Sequence, residues 1–85
     1  MEIPSQTINT VYVLTSDGGG FFVKSVIGGY AEYTTFGEEA KTWIRLRNCE
    51  KMAQLINKKN ESCGFMTRVR VIKMEVMLKF TEITQ

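Results

Sequence analysis

Val11–Ser25, VYVLTSDGGGFFVKS, is the stretch on which the reading of the fold turns. Counted from Gly18 it runs G-x-x-x-x-V-K-S, one residue away from a nucleotide-binding P-loop, and Gly18-x-Gly20-x-x-Val23 falls one residue short of a dinucleotide fingerprint. Three physical arguments oppose both. The position before the lysine must let the backbone wrap a phosphate, and Val23 is β-branched and stiff. A phosphate loop also needs a helix directly after Lys24-Ser25, because the helix N-terminus holds the anion; Val-Ile-Gly-Gly-Tyr follows instead. A βαβ nucleotide fold, finally, needs more parallel strands than this chain can supply. Asp-Gly and Gly-Gly suit the positive φ angles of a hairpin loop. The stretch therefore reads as strand, turn at Ser16–Gly20, strand.

Working outward, Ile8–Thr15 is rich in β-branched and aromatic residues and reads as the first strand, with Phe21–Ile27 as the second. Gly28-Gly29 makes another turn, and Tyr30–Thr34 a short third strand with Ala31 and Tyr33 on one face. Thr35-Phe36-Gly37-Glu38 has the form of a capping box. Phe36, Ala40, Trp43 and Ile44 then recur at helical spacing, but Leu46, Cys49, Met52, Ala53 and Ile56 form a second stripe rotated away from the first. One straight helix would scatter these groups around its circumference. The spacing predicts a short helical turn, an irregular link near Arg45–Arg47, and a main helix from Cys49 to Lys59 capped by Asn48, ending over Asn60–Gly64.

The closing segment from Phe65, FMTRVRVIKMEVMLKFTEIT, reads as one long strand in which the apolar positions change parity. Val69 and Val71 are odd; Ile72, Met74, Val76, Leu78 and Phe80 are even. A strand that switches faces calls for an extra residue, so the pattern predicts a β-bulge near 71–72. The fold class is α+β: a small antiparallel sheet in the order β-β-(β)-α-β against one main helix, as a single domain over 1–85.

Histidine is absent, which removes the commonest general acid or base near neutral pH and the usual metal ligand. Cys49 and Cys63, without a CxxC pair, do not build a zinc site and read as reduced thiols. Glu38-Glu39 resembles a carboxylate pair, yet adjacent helical residues diverge by about 100°, and first-turn placement explains them. The expectation is a protein that is no enzyme, with no catalytic residues, no metal and no cofactor. No apolar run reaches the ~18 residues of a membrane span, and MEIPSQTIN has no signal-peptide pattern, so a cytoplasmic location is expected.

The net charge of +2 conceals a segregation: Lys41–Lys73 holds nine bases against two acids, and the remainder two bases against seven acids. That asymmetry suits an anionic partner or attraction between two copies, hence a homodimer; ordinary solvated faces are the alternative. Trp43 with Arg45 and Arg47 has the composition of a binding hot spot, or else Trp43 plugs the gap between helix and sheet. Arg68 and Arg70 on one strand face, continuous with Lys73 or Lys51, complete the candidate partner-binding set. Met66, Met74 and Met77 read as core filler, with an adaptable contact surface as the alternative.

The chain-wide pattern resembles small accessory proteins encoded by phages and mobile elements of Gram-positive bacteria. The likeness rests on VYVLTSDGGGFFV, the stretch GYAEYTTF, an E-E-A-K-x-W segment, the helical C-E-K-M-A-Q-L-I and the closing strand. It implies a phage protein acting in the host cell by binding and inhibiting or modulating one macromolecule, through an exposed sheet edge or a basic surface. The alternative is a nucleic-acid-binding module using the basic 41–73 segment.

Overall fold

A computed structural model describes residues 6–79. The elements run β1 (Gln6–Ser16), β2 (Phe22–Ile27), β3 (Tyr30–Thr34), a 3₁₀ turn (Gly37–Glu39), α1 (Leu46–Ser62) and β4 (Val69–Lys79). The strands form one antiparallel sheet in the order β3-β2-β1-β4, with α1 against one face, which is the α+β arrangement expected.

The glycine stretch is a hairpin loop. Ser16 N–H donates to Phe21 C=O at 2.9 Å, Gly19 N–H to Ser16 C=O at 2.8 Å, and the Thr15 hydroxyl to Phe21 C=O at 2.9 Å. Gly18 and Gly19 hold φ of 99° and 74°, values that a β-carbon would strain. Lys24 and Ser25 lie in β2, as the hairpin reading requires.

The β1–β2 pairing is short. Thr15 is opposite Phe22; farther along β1, the extended chain at Trp43 takes the strand's place, exchanging two 2.8 Å hydrogen bonds with Tyr12. Lys41 N–H meanwhile donates to Val23 C=O at 2.9 Å, so the segment from Lys41 to Trp43 is stitched to both β1 and β2.

Leu14, Val23 and Val69 from the sheet meet Cys49, Ala53 and Ile56 from α1, all buried. Tyr12, Tyr33, Trp43, Met52 and Val71 pack around that centre. Of the second stripe, Cys49, Met52, Ala53 and Ile56 face the core as their spacing predicts, whereas Leu46, at the start of the helix, is exposed. The helix boundaries differ, however. It starts at Leu46 and ends at Ser62, and Asn48 lies inside its first turn, not at its cap. Arg45 occupies the cap position without a side-chain bond, since the chain arrives extended from the Trp43 bridge. The capping box at Thr35 does not form: the short turn begins after Phe36, and it is the Thr34 hydroxyl that accepts the Phe36 N–H, at 3.1 Å. The first stripe is not a helical face, as Trp43 is half-buried while Phe36 and Ile44 are exposed.

β4 needs two corrections. It begins at Val69, so Phe65–Arg68 is a loop. It also carries no bulge near 71–72: the ladder runs without a register shift from Gln6↔Lys79 to Ser16↔Val69. The parity change arises because opposite faces of one regular strand carry the apolar residues in succession. Val69 and Val71 pack toward α1; beyond the helix, Lys73 and Glu75 on that same face are exposed. Ile72, Met74 and Val76 alternate onto the other face, half-buried, where they pair with buried Val13, half-buried Val11 and exposed Asn9. The irregularity in the sheet is at Lys24, between Val23 and Ser25. The principal extents are 58 × 24 × 23 Å.

Candidate partner-binding surfaces

The folded chain distributes the basic residues over several surfaces. Trp43 is a half-buried part of the core wall, with the Lys41 ammonium 5.6 Å from its ring centroid. Arg45 stands exposed just before α1, and Arg47 in its first turn. Arg47, Lys51 and Lys58 follow at intervals of four and seven residues, on the helix face opposite Cys49, Ala53 and Ile56, as a basic ridge toward solvent. The first turn of α1 holds no acid, so Arg47 lies against the positive end of the helix dipole. Arg68 is exposed in the loop before β4, its C=O accepting the Asp17 N–H at 2.9 Å. Arg70 pairs with Thr15 on the sheet face away from α1, and Lys73 with Tyr12 on the face of α1. The seven candidates therefore belong to the core wall, the helix ridge, one loop and both sheet faces.

The structure draws together a different group at the C-terminal end of α1. A cleft of about 420 Å³ lies between β3 and the Cys63–Arg68 loop, lined by Tyr30, Tyr33, Asn60, Phe65, Met66 and Thr67 among others. Buried Asn60 organises it: its Nδ2 donates to Thr67 C=O at 2.9 Å and to the Tyr33 hydroxyl at 3.3 Å, while its own C=O accepts the Phe65 N–H at 2.8 Å. These bonds hold the loop against the helix, yet the apolar side chains on it face water. Phe65 is 58% exposed and Met66 95%. Tyr30 is half exposed, and Ile27, paired with it across the turn, is more open still.

Cations border this group. Lys59 Nζ sits 5.4 Å from the Tyr30 ring centroid, and Arg68 lines the other side of the loop with Phe65 and Met66. The Cys63 sulfur lies 3.7 Å from the Tyr30 hydroxyl; a hydrogen bond between them that keeps the proton on the phenol, and then the negative charge of Cys63 in its thiolate form, raise the phenol pKa above its ordinary value. Among the described residues, no group of three or more potential metal-ligating side chains occurs, and no helix is long and apolar enough to cross a membrane.

Of the candidate partner-binding residues read from sequence, only Arg68 belongs to this end, together with Met66, which the sequence offers as core filler or adaptable contact surface. Phe65 escapes, and Met66 reads first as core filler, because FMTRV has the pattern of a strand, where alternation would bury half of its apolar groups. The signal that could have found them was Gly64: it sits at φ 76° just past the helix, which turns the chain into a loop. Met66 is no core filler, Met74 is half-buried on the face away from α1, and the side chain of Met77 lies outside the described residues. Comparison with protein-family models, curated proteins and solved structures gave no match.

Proposed function

We propose that this chain is a small non-enzymatic binding protein that docks on a partner protein through the Tyr30–Phe65–Met66 end. The observation that carries the reading is the exposure of Phe65 and Met66 on a loop that Asn60 holds in place. Burying such side chains against a partner is favourable at about 25 cal/mol per Å², and a loop already ordered loses little entropy on docking. Methionine adapts to irregular surfaces, and aromatic anchors dominate interface energies. With Lys59 and Arg68 at the border, the surface suits an apolar anchor flanked by acidic groups. A phage or mobile-element accessory factor that inhibits or modulates a host protein would use such a surface, in keeping with the family resemblance.

The second reading, nucleic-acid binding, draws on the Arg47–Lys51–Lys58 ridge, which could follow a phosphate backbone. One experiment separates them. Tagged protein is used to capture partners from a Gram-positive lysate treated with nuclease, alongside Phe65→Ala/Met66→Asp and Arg47→Glu/Lys51→Glu variants. A stoichiometric protein lost only in the first variant supports docking through the apolar end. Loss of all capture on nuclease treatment, together with oligonucleotide binding that falls steeply with salt and vanishes in the second variant, supports the ridge instead.

A further inference from the structure

Among the described residues, the outer edge of β4 is open beyond its first residue. Val69 N–H and C=O are both taken by the Asn57 side-chain amide, at 2.7 and 3.0 Å, while Arg68 C=O bonds inward to Asp17. Antiparallel pairing alternates, so Val71, Lys73 and Glu75 also turn their main-chain groups outward, and Arg70, Ile72, Met74 and Val76 bond to β1. Among the described residues no strand meets that outer edge. Lys73 and Glu75 lie side by side along it on one face, both exposed, and neither joins an ion pair among the described residues.

We propose that this edge pairs antiparallel with β4 of a second copy of the chain, about a two-fold axis through Met74. That register sets Lys73 opposite Glu75 of the partner subunit and Glu75 opposite Lys73 of the partner subunit, with the outward N–H and C=O groups of each facing one another. Val71 then pairs with the backbone of Met77 of the partner subunit. On the other sheet face Met74 meets Met74 of the partner subunit and Ile72 meets Val76 of the partner subunit. The half-buried apolar row Ile72–Met74–Val76, backed by Val11 and Val13, becomes continuous across the axis.

The charges choose among registers. An axis at Lys73 would set that lysine opposite itself, and an axis at Glu75 would do the same to the glutamate. An axis at Ile72 would carry the ladder onto Val69, whose outward groups Asn57 already occupies. The pairing uses neither the Phe65–Met66 surface nor the helix ridge, so it stands or falls independently of the binding reading.

The test is light scattering on the full chain, with charge reversals and a cysteine at the axis. Wild type should run at twice its 9.7 kDa, and Lys73→Glu and Glu75→Lys should each run as monomers. An equimolar mixture of the two reversals should restore the doubled mass, because each then faces its opposite charge. A variant that had merely misfolded would not be rescued by mixing. In a Cys63→Ser background, Met74→Cys should form an intermolecular disulfide, since facing non-hydrogen-bonded residues lie about 4.5 Å apart at Cα, within disulfide reach. Ile72→Cys should not. A single-chain mass for wild type, a dimer indifferent to both reversals, or cross-linking at Ile72 in place of Met74 would each overturn the proposal.

Discussion

The Asn57 side chain closes both main-chain groups of Val69, accepting its N–H at 2.7 Å and donating to its C=O at 3.0 Å. A helix side chain thereby acts as one rung of a neighbouring strand. It locks α1 to the start of β4 and ends the open edge there.

Asn57→Ala leaves both groups of a buried residue without partners, since Val69 is only 4% exposed. An unsatisfied buried group costs about 1–3 kcal/mol. Urea unfolding should register a loss of at least that size. An unchanged midpoint would show that water replaces the amide without penalty.

Gly29 is fixed by both backbone and contact. Its φ is 87°, and a β-carbon there would approach Lys59 Cγ to 2.9 Å. The left-handed conformation alone costs a non-glycine residue about 1–2 kcal/mol. Gly29→Ala should therefore lower stability by at least that amount and displace the Lys59 ammonium from Tyr30. Gly18→Ala, with φ 99° but nothing near its β-carbon, should show the backbone penalty alone. Equal losses at the two positions would refute the steric part.

The two thiols should differ in reactivity. Cys63 is exposed, whereas Cys49 is wholly buried, and burial, with Glu50 nearby, pushes its thiol from 9.0 up to about 11. A thiol reagent should modify one cysteine in the native protein and two after unfolding. The pH dependence follows from the direction of the shift. Between 9 and 11 the unfolded chain releases the Cys49 proton and the folded chain keeps it, so this group's contribution is complete below pH 9 and fades toward pH 11. A two-unit difference corresponds to about 3 kcal/mol. Cys49→Ala should flatten that part of the stability profile; an unaltered slope would assign it to other groups.

Much of the architecture was legible because it depends on short-range rules. The loop at Asp17–Gly20 could be separated from a phosphate loop by asking what followed Lys24-Ser25, and FVKSVI is strand, one residue shorter than the expected Phe21–Ile27. The Cys49–Ile56 stripe gave the buried face of the helix at 3.6-residue spacing. The helix start was missed by three residues because the slip in phase between the two apolar stripes placed an irregular link at Arg45–Arg47, whereas the helix begins at Leu46, three residues after the Trp43 bridge.

The candidate surfaces were less legible. Arg68 and Arg70 look like strand neighbours on one face, yet one belongs to a loop and the other to the sheet face away from α1. Phe65 and Met66 are ordinary strand residues to any pattern rule. Their exposure follows from Asn60, whose bonds to Tyr33 and Thr67 link positions distant in sequence.

Local sequence specified the hairpin, the helix face and the order of elements, since turn geometry and periodicity act over a few residues. Where each face found cover was decided only by tertiary structure. α1 reaches Val69 and Val71 but stops short of Lys73, so a regular strand buries one side and then the other with no bulge between. Alternation along a strand dictates which residues share a side; only the packing of the helix dictates which side is inside.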